Sequence, residues 1–419
     1  MTLHTSRREF LHEIVAGAAL WPILGRAGGA VSPTPAFAEE AFWDEIRRQF
    51  SFREEVIPMN AANLCPCPRV VAARVRELTR DVDVDCSSHN RRKFLDLLEQ
   101  SRAKVARQLR VTADEIALVR NTSEANNIIN NGFPLETGDE VIVWDQNHPT
   151  NNVAWEVRAE RFGLQVAKVS TPTTPTGKDE LISVFERALT PRTRVLALTH
   201  VSNVSGIRLP VRELVDLAHK RDIYVHCDGA QTWGVVDLDL SEIGCDSFTA
   251  SAHKWLCGPR EVGLLYVKAK YVDRIWPGVV SANWGREVEP RPEGARKFES
   301  LGQRDDAVLA AIGTTVDLHE HIGFARIEAR VQELATYLKD GLKDEGFDLI
   351  TPMAPALSSG VCIAAVDGEN RSKLVNGLYQ EYGIAGAGAG GLRLSPHLYN
   401  TREHIDRAIR GAGALRRRI

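Results

Sequence analysis

Ser247-Phe248-Thr249-Ala250-Ser251-Ala252-His253-Lys254-Trp255 is the stretch on which the reading of this chain turns. Its first four residues read as a buried β-strand, a lysine stands just past the strand's end, and Gly258-Pro259 breaks the chain's pattern four residues later. In open α/β sheets, ligands bind at the carboxyl ends of the strands. A lysine there is either a surface amine with its stem laid along apolar neighbours or a functional group. The surrounding sequence decides between these.

Upstream, His226-Cys227-Asp228-Gly229-Ala230-Gln231 closes another strand-like run, placing an acid and an amide at the same kind of end. Asn203 and Ser205 occupy the turn after a run that ends at His200. Asn121-Thr122-Ser123-Glu124-Ala125-Asn126 comes after a further strand and opens a helix, whose free backbone N–H groups suit an anion. Strand-like runs fall at 116–119, 141–144, 166–169, 194–199, 223–227, 247–250 and 262–267, with helical stretches between them. Near-continuous apolar strands alternating with helices predict an α/β fold whose mostly parallel, seven-stranded sheet is covered on both faces.

Around that core, helices are expected at Ala41–Phe52 and Phe94–Leu109, and an extended lead-in at Val56–Cys67. Beyond Asp305 the order becomes helix 307–321, helix 324–345, strand 361–365, helix 371–382, strand 392–395 and a final helix from Thr401. That tail reads as a smaller C-terminal α+β domain. The expected division is 1–38, an N-terminal helix and lead-in at 39–58, a large domain at 59–310 and a small domain at 311–419. The glycine- and alanine-rich run 383–391 is expected to leave room for a bulky substrate.

The chain has 419 residues, 43% hydrophobic and 26% charged, with a net charge of -3. That balance gives no electrostatic case for nucleic acid. Seven cysteines at scattered spacing form neither a disulfide framework nor a zinc pattern. Cys65-Pro66-Cys67 reads as a tight turn, and with no histidine pair nearby no metal site is expected. The basic run His89-Asn90-Arg91-Arg92-Lys93 reads as a solvated face.

The first residues are of another kind. Ser6-Arg7-Arg8-Glu9-Phe10-Leu11 resembles the twin-arginine export motif; an apolar stretch from Ile14 to about Gly25 and then Ala36-Phe37-Ala38 come after it. Positive, apolar, then Ala-x-Ala is the order of a cleavable signal. The apolar part is short for a membrane span. The expectation is a periplasmic or otherwise exported protein that meets the twin-arginine machinery and keeps no membrane anchor.

Taken together, Asp228…Gln231 and Ser251-x-His253-Lys254 resemble the fold-type I pyridoxal-phosphate enzymes of the class V aminotransferase family, over about residues 55–410. The resemblance implies pyridoxal 5'-phosphate, with Lys254 as the Schiff-base lysine and Asp228 paired with the pyridine nitrogen. It places Gln231 and Asn203 at the phenolic oxygen, and His148, in Asn147-His148-Pro149-Thr150, over the ring. Thr122, Ser123, Ser251 and His253 would clasp the phosphate. Leu392-Arg393-Leu394-Ser395-Pro396 resembles the closing motif, with Arg393 on the substrate carboxylate. Asn60-Ala61-Ala62-Asn63 is similar to the lead-in of related members, which makes Asn63 a second substrate contact. In epimerase-like members a Gly-Thr-Arg-Asp threonine holds the phosphate of the neighbouring subunit. Here Gly302-Gln303-Arg304-Asp305 puts Gln303 in that place, and a homodimer is implied.

The family includes transaminases, epimerases, lyases and cysteine desulfurases. Desulfurases need a thiol on a mobile loop; the run 383–391 has none, and Cys362 falls in an apolar strand-like run. The resemblance is therefore nearest to isopenicillin N epimerase-like members, acting at Cα through Lys254 as an epimerase or transaminase-like enzyme. An alternative is the twin-arginine-exported branch that tailors a siderophore's glutamyl side chain; sulfur or selenium removal ranks below both. A nicotinamide enzyme would need G-x-G-x-x-G after an early strand, and no such run is present.

Overall fold

A computed structural model describes residues 35–281 and 292–419. The expected twin-arginine motif and apolar stretch lie outside these residues. The chain divides after Glu45 into two compact units. The helix expected at Ala41 runs instead over Pro35–Arg47, because Ala38-Glu39-Glu40-Ala41 are strong helix formers. Trp43 Nε1 ties it one turn back to Glu39 (3.0 Å), and the expected cleavage site falls in its first turn. Among the described residues, no helix is long and apolar enough to cross a membrane.

The central sheet of the second unit is built from β1 (Ile116–Val119), β2 (Glu140–Trp144), β3 (Gln165–Val169), β4 (Thr193–Thr199), β5 (Tyr224–Asp228), β6 (Ser247–Ser251) and β7 (Gly263–Val267). They form one sheet in the order β1-β7-β6-β5-β4-β2-β3. Only β7 runs against the others, antiparallel to both β6 and β1. All residues of β1, β2, β5, β6 and β7 are buried, as their apolar runs require, while edge strand β3 is largely open. Strand order reverses between β2 and β4, the place where α/β sheets open a crevice at their carboxyl ends.

The helix Arg69–Val84 has no counterpart among the sequence expectations. Its arginines and the preceding Pro68 mask a spaced apolar stripe, Val75, Leu78 and Val82, which packs on Phe94, Ala307, Ala310 and Ala311. The helix after it extends further toward the N-terminus than expected, over Ser88–Gln108, because Ser87 caps it by accepting a hydrogen bond from Asn90 N.

A separate core unites Leu334, Leu338, Leu374, Leu378, Leu392 and Ile405 from the C-terminal helices and strands with Ile57 and Met59. The lead-in reaches it by pairing Ile57–Pro58 in parallel with Ile384–Ala385. The glycine-rich run is not open space. A Cβ on Gly390, at φ +76°, would lie 2.1 Å from Val204 O, and one on Gly383 would lie 1.9 Å from Glu55 O. Its glycines serve close backbone approach, which corrects the expectation of room for substrate there.

Candidate active site

Strands β1, β2, β4, β5 and β6 deliver Thr122, His148, Asn203, Asp228 and Lys254 to one sheet edge. After β1, Asn121 caps the helix Thr122–Gly132 by accepting from Glu124 N (3.0 Å), which leaves the first N–H groups facing the crevice edge. Thr122 N donates to Ser251 Oγ (2.8 Å), and the two hydroxyls lie 2.7 Å apart. Strand end and helix start thus form one cradle of donors. Ser123, next in the helix, is exposed.

Asp228 is held on both oxygens. Ala230 N donates to Oδ1 and Asn126 Nδ2 donates to Oδ2, each at 2.9 Å. Asn126 therefore turns its Oδ1 away, where Thr249 Oγ1 donates to it (2.6 Å) and His226 Nε2 approaches at 3.1 Å. Since that oxygen only accepts, His226 carries its proton on Nε2, and its Nδ1 accepts from Ser247 Oγ (2.8 Å). Burial pushes His226 down to about 3, so the ring stays a neutral link. Sequence reading missed both links. Asn126 is on the helix after β1 and His226 is two residues before the acid, so neither carried a local signal.

Burial lowers the Lys254 amine below the ordinary lysine value; the nearby Asp228 carboxylate opposes this and Arg393 adds to it. His148 is lowered by burial and then by Lys254 and Arg393, with Asp228 opposing. These mutual influences place His148, Asp228, Lys254 and Arg393 around one space. His148 caps the helix Pro149–Phe162, its Nδ1 accepting from Thr150 N (3.3 Å). His253 is pushed down to about 4, by burial and then by Lys254 and Arg260.

Arg393 lies on the short strand Leu392–Leu394, paired antiparallel with Cys362–Ala364. Its Nη1 donates to Asn203 O (3.0 Å) and its Nη2 to Asn60 Oδ1 (3.1 Å), while buried Nε has no partner among the described residues. Desolvation lowers it to about 10, which leaves it charged at neutral pH. Asn203 Oδ1 and Thr199 Oγ1 are likewise buried without partners among the described residues.

Three further expected contact residues have these surroundings. Asn63 is exposed, and its neighbour Asn60 makes the bond to Arg393, because Asn63 lies in a turn closed by its N–H on Asn60 O (2.9 Å). Gln231 is buried and committed, with Nε2 donating to Ala62 O (3.0 Å) and Oε1 accepting from Trp255 Nε1 (2.7 Å). Gln303 lies on the surface, accepting from Arg91 Nη2 (3.2 Å) and donating to Arg304 O (2.8 Å), apart from this cluster within one chain.

The donor set fits pyridoxal phosphate. A helix start with two hydroxyls matches a phosphate, a fixed carboxylate matches a ring nitrogen, and a desolvated amine matches an aldehyde. The partnerless Asn203 Oδ1, Thr199 Oγ1 and Arg393 Nε are the orphaned polar atoms that such a site leaves to its ligands.

Comparison with known proteins agrees. Isopenicillin N epimerase from Streptomyces clavuligerus is 31% identical over 397 residues, covering 90% of this chain and 98% of that protein. A cysteine desulfurase from Yersinia pestis is 30% identical over 331 residues, covering 72% and 77%. In structure, an apo cysteine desulfurase from Thermococcus onnurineus superposes with a TM-score of 0.82 at 20% identity, covering 90% of this chain and 98% of that one. The family model of aminotransferase class-V matches residues 60–408. The chain is therefore an enzyme of the aminotransferase class-V family.

Proposed function

We propose that the protein binds an amino acid, or the amino-acid moiety of a peptide or secondary metabolite, and acts at its Cα as an epimerase or transaminase-like enzyme. One observation carries this reading: Asn203, Asp228 and Lys254 stand at the ends of neighbouring strands, and Arg393 is bonded to Asn203 O with its buried Nε left without a protein partner among the described residues. Pyridoxal phosphate is the cofactor; when bound it supplies an electron sink for the charge left at Cα as its C–H bond loosens. The Thr122–Ser251 cradle and the helix start hold its phosphate. Asp228, fixed by Asn126 and Ala230 N, would pair with its ring nitrogen, and the neutral His148 ring would lie against it. Arg393 takes the substrate carboxylate and so fixes which Cα bond points at Lys254. Lys254, whose amine burial lowers below the ordinary lysine value, would take the Cα proton on Nζ.

Sulfur transfer is disfavoured by the thiols. Cys362 lies in a buried strand opposite Leu394, and burial pushes it up to about 12, so it is neither mobile nor a thiolate. The reading includes export through the twin-arginine route, a homodimer, and a substrate met outside the cytoplasm, where keto-acid partners are scarce. Tailoring of a siderophore's glutamyl side chain is the form of this reading that twin-arginine export favours.

Incubating the mature enzyme with amino acids and short peptides in heavy water tests the chemistry. Deuterium at Cα with inversion supports epimerisation, and loss of the amine supports transamination or side-chain tailoring. Release of sulfide without Cα exchange contradicts the proposal.

A further inference from the structure

Behind Lys254 three chain segments meet. Cys65, on the lead-in, donates its N–H to His253 O (2.9 Å). Cys257, three residues after the lysine, donates its N–H to Lys254 O (2.9 Å) and adopts φ +55°, a conformation that non-glycine residues rarely hold. His397 comes from the closing segment after Arg393. All three are buried, and the two sulfurs and one ring nitrogen lie within 4.8 Å of one another.

The state of the histidine is informative. His397 Nε2 lies 2.6 Å from Trp255 O, and a carbonyl only accepts, so Nε2 carries the proton. Nδ1 is then a bare lone pair, buried, with no hydrogen-bond partner among the described residues. A histidine tied through one nitrogen to a carbonyl and open at the other is the arrangement of a metal-bound imidazole. Tyr399 Oη, also buried, donates to Cys65 Sγ at 3.5 Å and supplies an oxygen beside the sulfurs.

We propose that Cys65, Cys257 and His397 bind one zinc ion, with Tyr399 beside the fourth position, and that this ion pins the Lys254 loop to the lead-in and the closing segment. At the usual zinc–sulfur distance, two thiolates on one tetrahedral ion stand about 3.8 Å apart, so small side-chain movements close the present spacing. Charge selects the ion. A divalent ion with two thiolates is neutral there, whereas a monovalent ion would bury a net negative charge. Binding is balanced as one zinc ion in and the two thiol protons out, with no redox change. The enclosed position makes the site structural.

Zinc content, measured by mass spectrometry on mature holoenzyme loaded with zinc chloride and then gel-filtered, tests the proposal. We expect one equivalent per chain, and cobalt chloride in its place should give the visible bands and thiolate charge-transfer absorption of tetrahedral cobalt. Cys257→Ser and His397→Ala should retain at least tenfold less metal, while Cys67→Ser retains it. The cobalt spectrum of the unsubstituted protein decides the matter if the variants fail to fold. Protein without metal and with all seven cysteines titrating as thiols would overturn the proposal. Protein without metal and with two thiols missing would overturn it in favour of a Cys65–Cys257 disulfide.

Discussion

Asp228 illustrates how much of this site is made by residues that never meet a ligand. Its carboxylate is aimed by Asn126, and Asn126 is itself oriented by Thr249 and by a neutral His226. Asn126 is thus a positioning residue. Asn126→Ala removes a buried bond to a charged group, and about a ten- to hundredfold fall in kcat/KM is expected. The cofactor's absorption should move with it, whereas Asn126→Asp, a like-charge neighbour for Asp228, should fare worse than the alanine form. Unchanged spectra and rates in both variants would remove Asn126 from the site. Lys254, Asp228 and Ser251 stood out in the sequence because each is beside a strand end, and Arg393 because its segment resembles a closing motif. Asn126 and Asn60 did not, since their partners lie across the fold at Asp228 and Arg393. At Asn63 the motif gave the turn, and the folded chain shows that its neighbour Asn60 makes the bond to Arg393.

The seven strands of the sheet matched their runs almost residue for residue, and for all but the largely open β3 this is because a buried strand leaves no other pattern. Helices obeyed less well where their exposed faces are rich in arginine, as over Arg69–Val84. The run 383–391 was misjudged because composition does not distinguish a glycine that leaves space from one that permits contact. At Gly390 the second applies. Gly390→Ala must hold φ +76° and drive a methyl into Val204 O, next to the turn that carries Asn203. A loss of about 2–4 kcal/mol is expected in urea unfolding, with weakened substrate binding. A variant as stable as the parent would return the run to the status of an open loop.

At the level of the whole molecule, the seven-stranded sheet brings Asp228 and Lys254 to one end and the C-terminal core carries Arg393, which bonds Asn203 O after a sheet strand and Asn60 of the lead-in. The pairing of Ile57–Pro58 with Ile384–Ala385 joins segments far apart in the chain, which no local pattern reveals. Export and assembly belong to this scale. A reporter joined after Ala38 should reach the periplasm, and Arg7→Lys with Arg8→Lys should keep it inside. The exported enzyme should have twice the chain mass by light scattering; export indifferent to both arginines would contradict the route. The central claim rests on one amine. Borohydride reduction of the purified enzyme should bleach its yellow colour and leave one pyridoxyl-phosphate mass on the peptide that contains Lys254. A colourless protein, or a tag on any other lysine, would contradict it.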